Sequence, residues 1–144
     1  MSKMIDSKKE KLNFAEIAAI AFENTRLTVP KKFAMTGVLS EVNQPNTDVK
    51  QIGNTVFILH KGENGQGFFK ALNADTAANF VAHSKKYVVY AKKIGMNMLV
   101  TEFEDPAISK LFHAIAKAPP MPGMGFKEYK KDNGGFRIVL NLGK

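Results

Sequence analysis

The sequence predicts a single α/β (α+β) domain built on a mixed, mostly antiparallel sheet flanked by helices. Three observations predict it. Apolar residues recur at helical spacing in 13–24 and 75–94, β-branched and aromatic runs come in pairs around turn-forming residues, and the two kinds of segment alternate along the chain. At 144 residues the chain can build one core and not two, and 44% apolar with 24% charged residues is a globular composition.

Residues 1–12 read as a flexible basic start, with Lys3, Lys8, Lys9 and Lys11 and no hydrophobic signal core. Phe14, Ile17, Ala18, Ala21 and Phe22 then fall at i, i+3, i+4, i+7 and i+8, an amphipathic stripe behind Asn13 as N-cap. Pro30 interrupts the chain, and Lys31 to Val42 reads as a second short helix with Phe33, Val38, Leu39 and Val42 inward. Asn43 to Asp48 is a turn-rich connector leading to a short strand, Val49 to Ile52. Thr55 to His60 and Phe68 to Leu72 make an antiparallel hairpin around Gly62-Glu63-Asn64-Gly65-Gln66-Gly67.

A long helix follows over 75–94, with Asp75 as cap, Ala77, Phe80, Val81, Val88, Ala91 and Ile94 inward, and Gly95 in the left-handed position that ends it. Met96 to Phe103 is a strand, with Met98, Val100 and Glu102 sharing one side. Pro106 suits the first turn of a helix to Lys117, turning Ile108, Leu111, Phe112 and Ile115 to the core. The proline-rich stretch 118–124 must be a loop, in which Met121 and Met124 either fill core gaps or form an adaptable contact surface. Gly125 to Lys131 and Phe136 to Leu142 close the domain as a second hairpin around Asn133-Gly134.

Composition excludes several functions. No run approaches the roughly 18 apolar residues of a membrane helix. With no cysteine there is no disulfide, thiol nucleophile or Cys-ligated metal, and His60, His83 and His113 are too scattered to suggest a metal site. The balance of 21 Lys+Arg against 13 Asp+Glu gives net +8, which favours weak, long-range attraction to polyanions. Only Arg26 and Arg137 are arginines, so the fork that reads bases and phosphates specifically is scarce and the attraction is nonspecific. Lys85 with Lys92, and Lys86 with Lys93, recur on helical faces seven residues apart, either as a contact strip for a polyanion or acidic partner or as a solvated face. The glycine-rich turn at 62–67 lacks the Gly-Lys-Ser/Thr and the following helix of a phosphate loop, and reads as a hairpin tip.

This order of elements resembles the GNAT family of N-acetyltransferases over residues 13–144. The resemblance rests on the first helix, the hairpin Thr55 to Leu72, the long helix, the strand to Phe103, and the helix from Pro106 with Ala107, Leu111, Phe112 and Gly125-Phe126 in places comparable to the family's helix and Gly-Phe pair. The family grips the pyrophosphate of acetyl-CoA on a glycine-rich turn at the start of the long helix. Here that turn is Leu72-Asn73-Ala74-Asp75-Thr76-Ala77-Ala78, with no glycine and a carboxylate where the anion would lie. In the family acyl-CoA inserts where the strand before the long helix splays from the strand before the next one, so the state of those two strands decides whether the cleft is retained.

The resemblance places a base or polarising group near Glu102, Glu104 and Asp105, although Glu104-Asp105 is also an ordinary helix cap before Pro106. Tyr129 follows the Gly-Phe pair and does not match the family's general acid. In size, layout and missing loop the chain is similar to degenerate acetyltransferase-like virion proteins of short-tailed phages. The expectation is then a noncatalytic phage protein with no catalytic residue, cofactor or metal, located in the virion or the host cytoplasm and contacting other virion or phage proteins. The alternatives are an acyl-CoA-dependent N-acyltransferase with an atypical acetyl-CoA loop, and a small basic protein associated with nucleic acid.

Overall fold

A computed structural model describes residues 12–23 and 30–143. Arg26 and all but Leu12 of the expected flexible start lie outside the described residues. Helix α1 (Phe14–Glu23) and helix α2 (Lys31–Val42) come first, followed by strands β1 (Thr47–Ile52), β2 (Thr55–Lys61) and β3 (Gln66–Asn73). Helix α3 (Ala77–Lys93), strand β4 (Met98–Phe103), helix α4 (Pro106–Lys117) and strands β5 (Gly125–Lys130) and β6 (Phe136–Asn141) complete the chain. The six strands form one sheet in the order β1-β2-β3-β4-β6-β5, antiparallel throughout except where β3 meets β4. That parallel pair requires a crossover, which α3 supplies.

Local chemistry sets the helix ends. Asn13 and Glu16 form a reciprocal capping box: the Glu16 amide donates to Asn13 Oδ1 at 2.8 Å and the Asn13 amide to Glu16 Oε1 at 2.9 Å. Asp105 caps α4 by accepting from the Ala107 amide at 2.9 Å, ahead of Pro106 in the first turn. Gly95, at φ +101°, ends α3 in a Schellman motif, with its amide on the Lys92 carbonyl and that of Met96 on the Ala91 carbonyl. This C-terminal turn holds Met96, so β4 begins at Met98 and not at Met96. The turn at 62–67 is the hairpin tip expected, a single 3-10 turn at Glu63–Gly65 with Asn64 left-handed at φ 61°.

The core has two halves. On one face of the sheet Phe57, Leu59, Phe69, Ile138 and Leu140 pack against Tyr87, Val88 and Ala91 of α3 and Phe112 and Ile115 of α4. On the other, Val56, Ile58 and Leu72 meet Ile17, Ala18 and Ala21 of α1 and Val38 of α2. Covered on both sides, β2 is buried without alternation from Thr55 to Leu59. Met121 and Met124 lie against the first half as gap fillers.

Three sequence expectations need correction. Phe33 and Leu39 of α2 are 58% and 46% exposed, because only one edge of that helix, at Val38, reaches the core. Ala77 faces solvent, while Tyr87, unassigned from the sequence, is 1% exposed and stacks on Phe57 with centroids 4.2 Å apart. The N-cap of α3 is Thr76, whose Oγ1 accepts from the Asn79 amide at 3.1 Å, which leaves Asp75 just outside the helix.

Candidate functional site

The ladder between β3 and β4 spans only Gln66 with Met98, Gly67 with Leu99 and Phe68 with Val100. Beyond these pairs the two strands separate, although β3 runs on to Asn73 and β4 to Phe103. A cleft of about 390 Å³ opens between them, within the size range of small-molecule sites. Phe69, Phe80, Phe103 and Phe112 line it from the α3/α4 side and Phe22 from α1, so it reaches through the sheet. Each of the two strands is laddered along its other edge, to β2 and to β6, so main-chain groups on the facing edges have no ladder partner across the gap. Such a slot suits an extended arm bearing amides or apolar groups.

Three carboxylates, Asp75, Glu102 and Asp105, also line the cleft, and each is already engaged. Glu102 accepts from Lys131 Nζ at 2.8 Å and from Arg137 Nε at 2.7 Å. Those two hydrogen bonds hold its carboxyl below the usual glutamate range. A general base at neutral pH needs the opposite shift, so Glu102 is a structural ion pair. Asp105 is occupied in capping α4, and Glu104 is exposed outside the cleft lining.

Asp75 sits where the cleft meets the N-terminus of α3. Its Oδ1 accepts from Asn79 Nδ2 at 2.8 Å and from the Thr76 amide at 3.3 Å, and its Oδ2 from the Asn54 amide at 3.3 Å, with His83 Nδ1 at 3.7 Å. Burial acts to raise its carboxyl, but the hydrogen bonds from Asn79, Asn54 and Thr76, with His83 alongside, outweigh it and lower the pKa. The side chain is only 18% exposed, so this charge is fixed and weakly screened.

Buried Thr55 ties the same region together. Its one hydroxyl hydrogen goes to Asn73 Oδ1 at 2.8 Å, so His83 Nδ1, 3.1 Å away, must carry its own hydrogen toward Thr55 Oγ1. Thr55 and Asp75 thus face the same ring nitrogen, whereas a nucleophilic triad needs hydroxyl and carboxylate on opposite nitrogens. A second polar cluster also fails as a relay. Ser109 donates to Glu128 Oε2 and His113 Nε2 lies 2.8 Å from Oε1, which puts the carboxylate in the middle and pins α4 to β5. His60 likewise pairs with Glu41. Among the described residues no group of three or more His, Asp or Glu side chains could hold a metal.

The comparisons with solved structures concern this architecture. A crystal structure assigned to a phosphinothricin N-acetyltransferase superposes with a TM-score of 0.53 at 12% identity, covering 94% of this chain and 98% of its own. This chain has the N-acetyltransferase fold. The ribosomal-protein-S18-alanine N-acetyltransferase from Escherichia coli gives a TM-score of 0.49 at 15% identity over 92% of this chain and 90% of its own. No family model matches the sequence, and no curated protein matches it.

Within that fold the splayed pair β3/β4 is present and the phosphate grip at α3 is not. Every residue from Leu72 to Ala78 carries a Cβ, and the Thr76 and Asn79 amides already have acceptors. A unit charge about 4 Å from Asp75 would be repelled by about 4 kcal/mol at an effective dielectric near 20. The helix end returns about 0.3–1 kcal/mol, so repulsion wins. The pyrophosphate of acetyl-CoA does not fit these residues.

The lysines singled out from the sequence lie on α3, away from the cleft lining. Lys86 and Lys93 point outward, Lys85 and Lys92 are half-buried, and Lys92 Nζ donates to the Leu142 carbonyl at 2.7 Å. Tyr129 is 49% exposed on β5 and does not line the cleft either. Sequence reasoning did not anticipate the phenylalanine lining, because its members come from five separate elements and no local spacing joins them.

Proposed function

We propose that this protein is a noncatalytic protein of N-acetyltransferase fold that acts through protein contacts in or around a phage particle. The observation that carries the reading is Asp75, held at the start of α3 by four groups where an acyl-CoA enzyme needs bare amides. The Glu102 carboxylate supports it, since its ion pairs with Lys131 and Arg137 engage it and hold it below the usual glutamate range. Protein contact is supported by the sheet itself. Helices α1 and α2 cover β1 to β3, while Phe68, Val100 and Val139 form a row across β3, β4 and β6, and Tyr129 lies beyond it on β5. Phe68 and Tyr129 are 41% and 49% exposed. The phage setting rests on the likeness in size and layout to small virion proteins.

Two measurements test the reading. Incubation with acetyl-CoA and mixed amine acceptors should release no thiol above the buffer rate; steady release contradicts a noncatalytic role. Digests of purified particles should contain peptides of this chain, and peptides confined to the soluble lysate contradict the virion setting. One observation favours a second reading, an acyl-CoA-dependent N-acyltransferase that holds its cofactor without the usual loop: the cleft between β3 and β4 is open and deep.

A further inference from the structure

Helices α3 and α4 pack side by side on one face of the sheet. Together they carry Lys85, Lys86, Lys92, Lys93, Lys110 and Lys117, and neither contains an Asp or Glu. The opposite layer is mixed, with Glu16, Glu23 and Glu41 on α1 and α2 beside Lys31 and Lys32. Six of the chain's lysines therefore lie on one side. Lys86, Lys93, Lys110 and Lys117 are all exposed, and none of them has an ion-pair partner among the described residues. The carboxylates of this layer are engaged: Asp48 accepts from the Tyr90 hydroxyl, Glu128 is held by Ser109 and His113, and at the helix starts Asp75 is held by Asn79 and the Asn54 amide while Asp105 caps α4.

We infer that the outer surface of α3 and α4 docks on the phosphate backbone of double-stranded nucleic acid. Seven residues separate Lys86 from Lys93 and Lys110 from Lys117, which places each pair about 10 Å apart along its helix, on helices roughly 8–10 Å apart. Four ammonium groups at that spacing act together at low salt, where the screening length is about 10 Å or more. Lysine delivers a point charge suited to phosphate and carries no base code. Val89 is the one large apolar side chain exposed on these two helices, no Phe or Tyr is exposed there, and the exposed His113 ring is tied to Glu128 and lies edge-on to Phe126. Stacking on single strands therefore has no platform, and a protein partner finds no aromatic anchor.

The test is fluorescence anisotropy of a labelled 20-base-pair duplex of mixed sequence with the full chain at 50 and 200 mM salt. Four neutralised phosphates predict a log–log salt slope near −3.6, or about a hundredfold weakening across that range. Substituting Lys86→Gln, Lys93→Gln, Lys110→Gln and Lys117→Gln together should weaken binding at 50 mM at least tenfold and flatten the slope. The pair Lys86→Gln with Lys117→Gln should give about half that slope if the fourfold variant melts early. Lys32→Gln with Lys127→Gln, on the opposite side, should change affinity less than twofold. No binding at 50 mM, or binding indifferent to the fourfold change, overturns the inference. So does polyglutamate competing as well as unlabelled duplex, which would assign the face to an acidic protein.

Discussion

At residue scale Asp75 puts a fixed carboxylate, held by Asn79, Asn54 and Thr76, at the start of α3 where a cofactor-binding turn would present glycine amides. Its carboxyl is lowered in the folded chain, so its stabilising effect is complete above the ordinary aspartate value and fades as pH falls through the folded one. Asp75→Asn should therefore cost about 1 kcal/mol at pH 7 and leave the acid limb of the stability curve, below about pH 4, flatter than in the parent, as read by urea melts across pH. Tyr87 is the other telling residue. Burial, with Asp48 and Tyr90 nearby, pushes its phenol above the ordinary value, and its hydroxyl has no hydrogen-bond partner among the described residues. Tyr87→Phe keeps the stack on Phe57 and removes an unsatisfied buried group, so it should be neutral or stabilise by up to about 1 kcal/mol in chemical denaturation.

At the scale of elements, the start of α3 is fastened from three sides. Thr76 caps it, Asp75 joins it to the β1–β2 turn at Asn54, and His83 packs against Gly53 of that turn. Gly53 has φ +58°, and a Cβ there would overlap the His83 ring. Gly53→Ala should cost about 2 kcal/mol or more in thermal melting, from left-handed strain and the displaced imidazole together. These elements also show what a sequence discloses. The starts of α1 and α4 and the end of α3 were legible because Asn13, Asp105-Pro106 and Gly95 are local signatures, whereas the cap of α3 is Thr76, one residue after the Asp75 expected. The inward faces of α2 and α3 were less so: the exposure of Phe33 and Leu39 depends on how little of α2 the sheet covers, and the burial of Tyr87 on a stack with a strand 30 residues earlier.

At the scale of the whole molecule, the fold separates two functions that an acetyltransferase combines. The opening between β3 and β4 comes from the sheet, which only stops pairing after Phe68 and Val100, and it persists here. The anion site comes from one turn, Leu72 to Ala78, and a few side chains suffice to close it. The order of elements was readable from alternating patterns, and so was the absence of glycine at that turn. The through-sheet cleft was not, since Phe22, Phe80 and Phe112 converge only after both helical layers have packed. In the proposed reading the sheet keeps the cleft open while the Asp75 carboxylate repels an acyl-CoA pyrophosphate at the start of α3. Thermal melting with increasing acetyl-CoA tests this most directly, because a ligand at about 100 times its dissociation constant would add about 2.7 kcal/mol to the native state. With Asp75 repelling the pyrophosphate, the midpoint should stay within about 1 °C of the ligand-free value; a concentration-dependent rise of roughly 5 °C or more would contradict that repulsion.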